Sequence, residues 1–308
     1  MDMYNSNFND KNVKIGHYTD LENGTGTTVI LTESGAIVGV SVRGSAPGTR
    51  ETDLANPMHA VSDAHAVVLT GGSAYGLDSA SGVMQFLREK NIGYKTKETV
   101  VPIVPATVLY DLGYHSSSVF PDKAFGYEAC VQATLNNFDQ GSIGAGTGAT
   151  CGKIAGQKSA EKTGLGISSI NLGSGIHVSA IFAANPLGEI YDYQTNTLIS
   201  GHRSPTASDV FLKGLTAFLS PNKGENTTIG VVFTNARLTK AQANKLADIA
   251  HDGIALAVRP CHTMYDGDSV FALSTSNKKG NFDRILVAGI HATAQAIANA
   301  AYSAKEKK

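Results

Sequence analysis

Gly224-Glu225-Asn226-Thr227-Thr228-Ile229-Gly230-Val231-Val232-Phe233 carries a polar loop straight into an apolar, β-branched run. The change of composition marks a strand start, with a threonine at the junction. Downstream, Tyr265-Asp266-Gly267-Asp268-Ser269-Val270-Phe271 places two carboxylates in a turn and then a second apolar strand. A hydroxyl at a strand start with an acid pair beyond it suits a nucleophile unmasked by cutting the chain in front of it. Breaking the Asn226–Thr227 bond gives Thr227 a free α-amine, which can act as base for its own hydroxyl. Asn-Thr at a loop–strand boundary and Asp-Gly-Asp are also ordinary turn chemistry. The pattern acquires chemical meaning only from the rest of the chain.

Toward the N-terminus, Val13–His17, Thr27–Leu31 and Ala36–Val42 read as short strands, with Glu33-Ser34-Gly35 as a turn between the last two. Ala66–Thr70 is a buried strand closed by Gly71-Gly72, and Ser73 is placed to cap a helix running to about Arg88. Val100–Pro105 is extended, because each proline disfavours helix before it. Residues 123–137 are expected to be helical. Ile176–Asn185 is a strand that ends in the turn Pro186-Leu187-Gly188, and Glu189–Asp192 begins the next extended piece. Ser200–Asn226 is rich in turn formers, with room for a short helix at Asp209–Leu219. Strand 227–234, helix 239–258, strand 269–275 and an Ala-rich helix 281–303 follow. Leu238-Thr239-Lys240-Ala241 reads as a helix start. Strands in adjacent pairs with helices between the pairs indicate layered α+β, with sheets sandwiched by helices.

Composition sets the outer bounds. The 308 residues are 42% hydrophobic, with a net charge of −1 and a pI near 6.7. That is enough to fill one large core, and no basic excess points to nucleic acid. No 18-residue apolar run predicts a membrane span, and the polar start Met1–Ser6 gives no secretory signal. Cys130, Cys151 and Cys261 form no CxxC pair, which fits a reducing cytoplasm.

Other motifs fail their templates. Gly144–Lys153 has Thr147 where a phosphate loop needs Gly, and Ile154 where it needs a Mg²⁺-binding hydroxyl. Its Gly144-x-Gly146-x-x-Ala149 lacks the strand that must precede a dinucleotide fingerprint. The loop is instead expected to bring backbone close to another element, with Lys153 pointing into a site. Gly71–Gly76 carries Tyr75 where a nucleophile elbow needs Gly. The nine histidines show no HExxH spacing and read as surface or hydrogen-bonded structural residues. Asn185, at a strand end, is either a turn residue or an amide donor to an oxyanion. Tyr110 is either core or a hydrogen-bond donor to substrate.

Together these segments resemble the L-aminopeptidase/D-esterase and β-peptidyl aminopeptidase family, which includes the nylon-oligomer hydrolases. The likeness spans nearly the whole chain. It runs through Val42–Asp53, Leu69–Leu77, Gly144–Lys153, Asn185–Gly188, Asn226–Ile229, Leu238–Ala243, Ala250–Gly253 and Asp266–Leu273. The resemblance implies an αββα four-layer sandwich like that of the N-terminal-nucleophile hydrolases. It implies one peptidase domain, 1–308, self-cleaved into 1–226 and 227–308, with Thr227 placing it in the threonine branch. It also implies Asp266 and Asp268 as the acid pair, with Lys153, Asn185 and Tyr110 lining the site. Leu109 stands where many aminopeptidase members carry a Glu before the tyrosine.

The expected function is therefore a self-processing amide hydrolase of aminopeptidase or amidase type. It would need no metal or organic cofactor and would act on a small peptide, amide or ester. The resemblance favours a homo-oligomer, a tetramer, without nucleic-acid or membrane partners. Three alternatives stand beside it. They are an endo-type ω-amino-acid (nylon) oligomer hydrolase on the same site, a non-catalytic small-anion-binding protein, and a nucleotide-dependent enzyme using Gly144–Lys153.

Overall fold

The computed structural model describes residues 4–5, 10–215 and 224–305. The principal strands are β1 (Lys14–Asp20), β2 (Thr25–Val42), β3 (Asp63–Thr70), β4 (Ala106–Val108), β5 (Leu165–Gly173), β6 (Ile176–Asn185), β7 (Thr227–Ala236) and β8 (Ser269–Lys278). The helices are α1 (Ser79–Glu89), α2 (Lys123–Val131), α3 (Ala207–Lys213), α4 (Lys240–Ala257) and α5 (Phe282–Lys305). The main ladder runs β5-β6-β7-β8-β2-β3-β4, with β1 also on β2.

This ladder doubles over on itself at β2. Residues 37–42 of β2 pair with β8, whereas residues 27–31 pair with β3 and β1. One 18-residue strand thus serves two sheets. No reversal occurs at Glu33-Ser34-Gly35, contrary to the expectation from sequence. Between Leu31 and Ala36 the register on β3 slips instead. Gly35, at φ +82°, takes up this irregularity.

Alternation sorts the side chains into layers. Ile181, Ile229, Val231, Phe233 and Phe271 from one sheet meet Ile30, Val67 and Leu69 from the other in a shared core. Val178, Phe182, Val232 and Val270, on the opposite face of the first sheet, pack under α4 and α5. Val29, Leu31, Ala66 and Val68 pack under α1 and α2. The order is helix, sheet, sheet, helix. Thr239 opens α4 with a capping box, its hydroxyl receiving the Gln242 N–H and the Gln242 side chain receiving the Thr239 N–H. The Ala-rich α5 lies so close to β5 that a Cβ on Gly166 would fall 2.0 Å from the Ala296 carbonyl.

Other local expectations change. Ser73 caps nothing. It sits at φ +53° and opens a 3₁₀ turn, Ser73–Asp78, and α1 starts only at Ser79. α2 stops at Val131, because Thr134-Leu135 pairs with the start of β1. The short helix foreseen at Asp209–Leu219 is α3, and residues 216–219 of it lie outside the described residues.

All ten residues of β7 are buried, and the strand is hydrogen-bonded to β6 on one side and β8 on the other. If the chain is cut at Asn226–Thr227, fragments 1–226 and 227–308 are expected to co-elute as one particle on native size exclusion and to separate only under denaturation. Separation in native buffer would remove β7 from the core. Phe233→Ala, which empties a fully buried site, is expected to cost about 3–5 kcal/mol in chemical denaturation.

Candidate active site

Strand direction assembles the site. β7 and β8 are parallel, with Ile229 opposite Ser269, so both strands begin at the same end of the sheet. β6 is antiparallel to β7 and ends there, with Asn185 opposite Thr227. β2 is antiparallel to β8 and also ends there, with Val42 opposite Ser269. Asn185, Thr227, the turn 266–268 and the loop after Val42 therefore converge.

Thr227 is 4% exposed and Asn226 1%. The Thr227 hydroxyl donates to the Asn226 carbonyl oxygen at 2.5 Å. The Gly267 N–H donates to the same oxygen at 2.8 Å. One carbonyl is thus polarised by a main-chain amide while a hydroxyl faces it. A side chain at 267 would not fit, since a Cβ there would lie 2.4 Å from the Ala46 carbonyl oxygen and 3.0 Å from Thr227 Oγ1. The loop 43–46 buttresses the turn: the Arg43 and Gly44 N–H groups donate to the Asp268 carbonyl, and those of Ser45 and Ala46 to the Asp266 carbonyl. This is the structural content of the Arg43-Gly44-Ser45-Ala46 motif.

The two acids are held differently. Asp268 accepts the Thr228 N–H at 2.6 Å on one oxygen; the other takes the His262 N–H at 3.1 Å and His262 Nδ1 at 2.7 Å. Asp266 accepts from the Thr263 hydroxyl at 2.6 Å and the Thr263 N–H at 3.0 Å. Burial, reinforced by the Asp268 charge, pushes the Asp266 carboxyl up to about 6. A group that exchanges its proton near neutrality therefore sits one residue from the Gly267 amide.

Lys153 is buried and donates to both oxygens of Asn185, at 2.6 Å to Oδ1 and 3.0 Å to the main-chain O. Burial drives its ammonium down to about 7, while Asp266, Glu225 and Asp111 pull the other way. With Lys153 and the Thr150 N–H both donating to Oδ1, the Asn185 amide group must point away from them. Its Nδ2 donates to the Tyr110 carbonyl at 2.9 Å. Tyr110 thus touches this network through its main chain. Lys153 enters from a tight loop in which Gly152, at φ +65°, passes so close that a Cβ would lie 2.4 Å from the His202 N.

Five of the six residues expected from sequence, Thr227, Asp266, Asp268, Lys153 and Asn185, are thus buried around this sheet end, and Tyr110 joins by its carbonyl. Sequence reasoning missed three contributors. Gly267 acts through an amide that every non-proline residue possesses. Thr263 and His262 sit three and four residues before Asp266, and that proximity in sequence was the available signal.

The family model for peptidase family S58 matches residues 10–308. The chain belongs to peptidase family S58. It is a hydrolase of peptide or amide bonds. It is 40% identical over 283 residues to an uncharacterized aminopeptidase of Mycobacterium leprae, covering 85% of this chain and 76% of that protein. It is 32% identical over 272 residues to a 6-aminohexanoate-oligomer endohydrolase of Kocuria sp., covering 85% and 73%. In fold it is similar to the L-aminopeptidase D-Ala-esterase/amidase of Ochrobactrum anthropi, a variant of the Ntn hydrolase fold, with a TM-score of 0.73, 18% identity and 96% and 85% of the two chains covered. A Burkholderia sp. β-aminopeptidase gives a TM-score of 0.70 at 20% identity, covering 94% and 83%.

The packing at Gly267 generates a direct test. Gly267→Ala must displace either the Ala46 carbonyl or the turn itself, and so withdraws the amide from the Asn226 oxygen. Any cleavage at Asn226–Thr227 is expected to slow by about 10²-fold or more, the scale for loss of one such donor, with the far-ultraviolet circular dichroism unchanged. Denaturing gels over a time course give the rate, and wild-type cleavage in the variant would dismiss the amide's role.

Proposed function

We propose that this S58 member is a self-processing hydrolase that cuts its own Asn226–Thr227 bond and then uses Thr227 as an N-terminal nucleophile on peptide or amide substrates. The observation that carries the reading is the Asn226 carbonyl oxygen held between the Thr227 hydroxyl at 2.5 Å and the Gly267 amide at 2.8 Å. In maturation, Thr227 Oγ1 attacks the Asn226 carbonyl carbon and the oxygen takes negative charge against the Gly267 N–H. Such a donor is typically worth about 3 kcal/mol. The N→O shift leaves an ester between Asn226 and Thr227, and water hydrolyses it. We assign the taking and returning of the proton to Asp266, whose proton affinity lies near neutrality.

In turnover, a substrate carbonyl occupies the place vacated by Asn226. The freed α-amine removes the Thr227 proton, Oγ1 attacks, the amine product leaves, and water hydrolyses the acyl-enzyme. The second Nδ2 hydrogen of Asn185 and the Gly267 amide serve as oxyanion donors. Asp266 and Asp268 keep the α-amine and hydroxyl in register. Positive charge on Lys153 opposes charge on the new ammonium and so favours its neutral, basic form. We take the assembly to be a homo-oligomer, tetrameric by family resemblance. The three free cysteines support a reducing, cytoplasmic setting.

One feature favours a second reading, endo-cleavage of ω-amino-acid oligomers. Leu109, the residue before Tyr110, is fully buried and apolar. That position offers no carboxylate to a substrate ammonium, so an acyl chain continuing past the site loses nothing there. Hydrolysis rates on free-amine and N-acylated oligomers of the same acid separate the two readings.

Intact mass of freshly purified protein is expected to resolve into fragments 1–226 and 227–308. Thr227→Ala is expected to remain one chain and to be inactive, while Thr227→Ser, which keeps the hydroxyl, retains part of both activities. A wild-type chain that stays whole while hydrolysing amides would overturn the self-processing reading.

The pH dependence follows from Asp266. Its basic form is the ionised one, so self-cleavage is expected to be full above about pH 7 and to fall as pH drops through about 6. Asp266→Asn is expected to lower the plateau rate by about 10²-fold and to abolish this limb. An unchanged profile in Asp266→Asn would return that residue to a structural role.

A further inference from the structure

His262 takes no part in the steps above, yet its geometry is unusual. It adopts φ +56°, a backbone region uncommon for residues other than glycine. From there its main-chain N–H and its ring Nδ1 both reach one oxygen of Asp268, while the other oxygen receives the Thr228 N–H. Asp268 is 1% exposed. A carboxylate bound on both oxygens in a buried site cannot rotate without leaving an N–H unpaired. His262 is therefore tied, through one carboxylate, to the peptide unit that follows the nucleophile.

We propose that His262 is a positioning residue that acts through Asp268, fixing the nucleophile's strand start and governing how readily the neighbouring Asp266 takes up a proton. The proposal rests on the reading of Thr227 as nucleophile. Burial alone would lower the imidazole's proton affinity, but the Asp268 carboxylate, with Cys261 beside it, outweighs it and carries the pKa up to about 10. The ring therefore stays positive across the working range. The groups facing it come from several elements. Asp266 and Asp268 lie on the turn, and Cys261 is its chain neighbour. His251 of α4 stands edge-on to it at 4.8 Å between ring centroids, and burial brings that ring down to about 4, so it remains neutral. Arg43, at the end of β2, is committed to Asp248 and Asp252. Removing the His262 cation leaves the Asp268 charge uncompensated beside Asp266, so Asp266 is expected to take up its proton at higher pH.

The test uses full-length protein with His262→Gly and His262→Asn. Glycine accepts the positive φ and keeps the main-chain N–H but deletes the ring. Asparagine tolerates the same φ and keeps a neutral donor near the position of Nδ1. His262→Gly is expected to self-cleave about 10²-fold more slowly while retaining its fold by circular dichroism. His262→Asn is expected to recover at least about tenfold of that loss, with its acid limb displaced upward by about half a pH unit or more. In a Thr227→Ala background, which stays uncleaved, carboxyl ¹³C titration of Asp266 is expected to show the same upward displacement when His262→Asn is added. Wild-type rates and an unmoved midpoint in both variants would overturn the proposal. Equal losses in both variants with an unmoved midpoint would also overturn it, leaving His262 a brace for the turn. A wild-type chain that never cleaves would instead sink the nucleophile reading, and the ¹³C midpoint would still decide whether His262 governs Asp266.

Discussion

The parallel pairing of β7 with β8 is the constraint on which the rest of the site depends. Parallel neighbours begin at the same end of a sheet and need a crossover between them, here supplied by α4. Once Ile229 lies opposite Ser269, Thr227 has to stand beside the turn that leads into β8. The antiparallel neighbours on either side then deliver the end of β6 and the end of β2 to the same place. Asn185 and the loop 43–46 follow without further instruction. An antiparallel β7–β8 pair would send Thr227 and the acid pair to opposite edges of the molecule.

The convergence concentrates charge where water is scarce, and burying an ion is costly unless partners replace its hydration. The site meets this cost by mutual compensation. Asp268 is surrounded by N–H donors and an imidazolium, Asp266 takes up a proton readily, and Lys153 gives one up readily while donating to Asn185. The same desolvation that makes these groups expensive brings two of them into the range where acid–base chemistry proceeds at neutral pH. Stability at this end of the sheet is exchanged for reactivity.

Much of this was legible in the chain. The switch from polar loop to β-branched run located β7, and Thr239 with Gln242 located the start of α4. The Asp-Gly-Asp turn was visible as a turn that could also be an acid pair, and the structure buries both of its carboxylates at the sheet end that holds Thr227. What escaped was whatever side-chain identity does not encode. Gly267 contributes a main-chain amide. Tyr110 contributes a main-chain carbonyl to Asn185. His262 reaches Asp268 through a positive φ that its identity does not announce, so only its nearness to Asp266 in sequence pointed to it. The passage of β2 through Glu33-Ser34-Gly35 looks like a turn in sequence because an irregularity within a strand and a turn draw on the same residues; only the two sets of partners distinguish them.

The reach of the loop 43–46 has a consequence for the life of the chain in the cell. The turn that positions the Gly267 amide is held by residues more than 200 positions earlier in the sequence, and β8 must already be in place for them to hold it. A nascent chain that has only extended past Thr227 carries the hydroxyl and the scissile carbonyl but not the amide between them. Under the proposed self-processing, scission would be reserved for chains in which both ends of the polypeptide have met. A single backbone cut would then serve as a certificate of completed folding, written only once and only by the finished molecule.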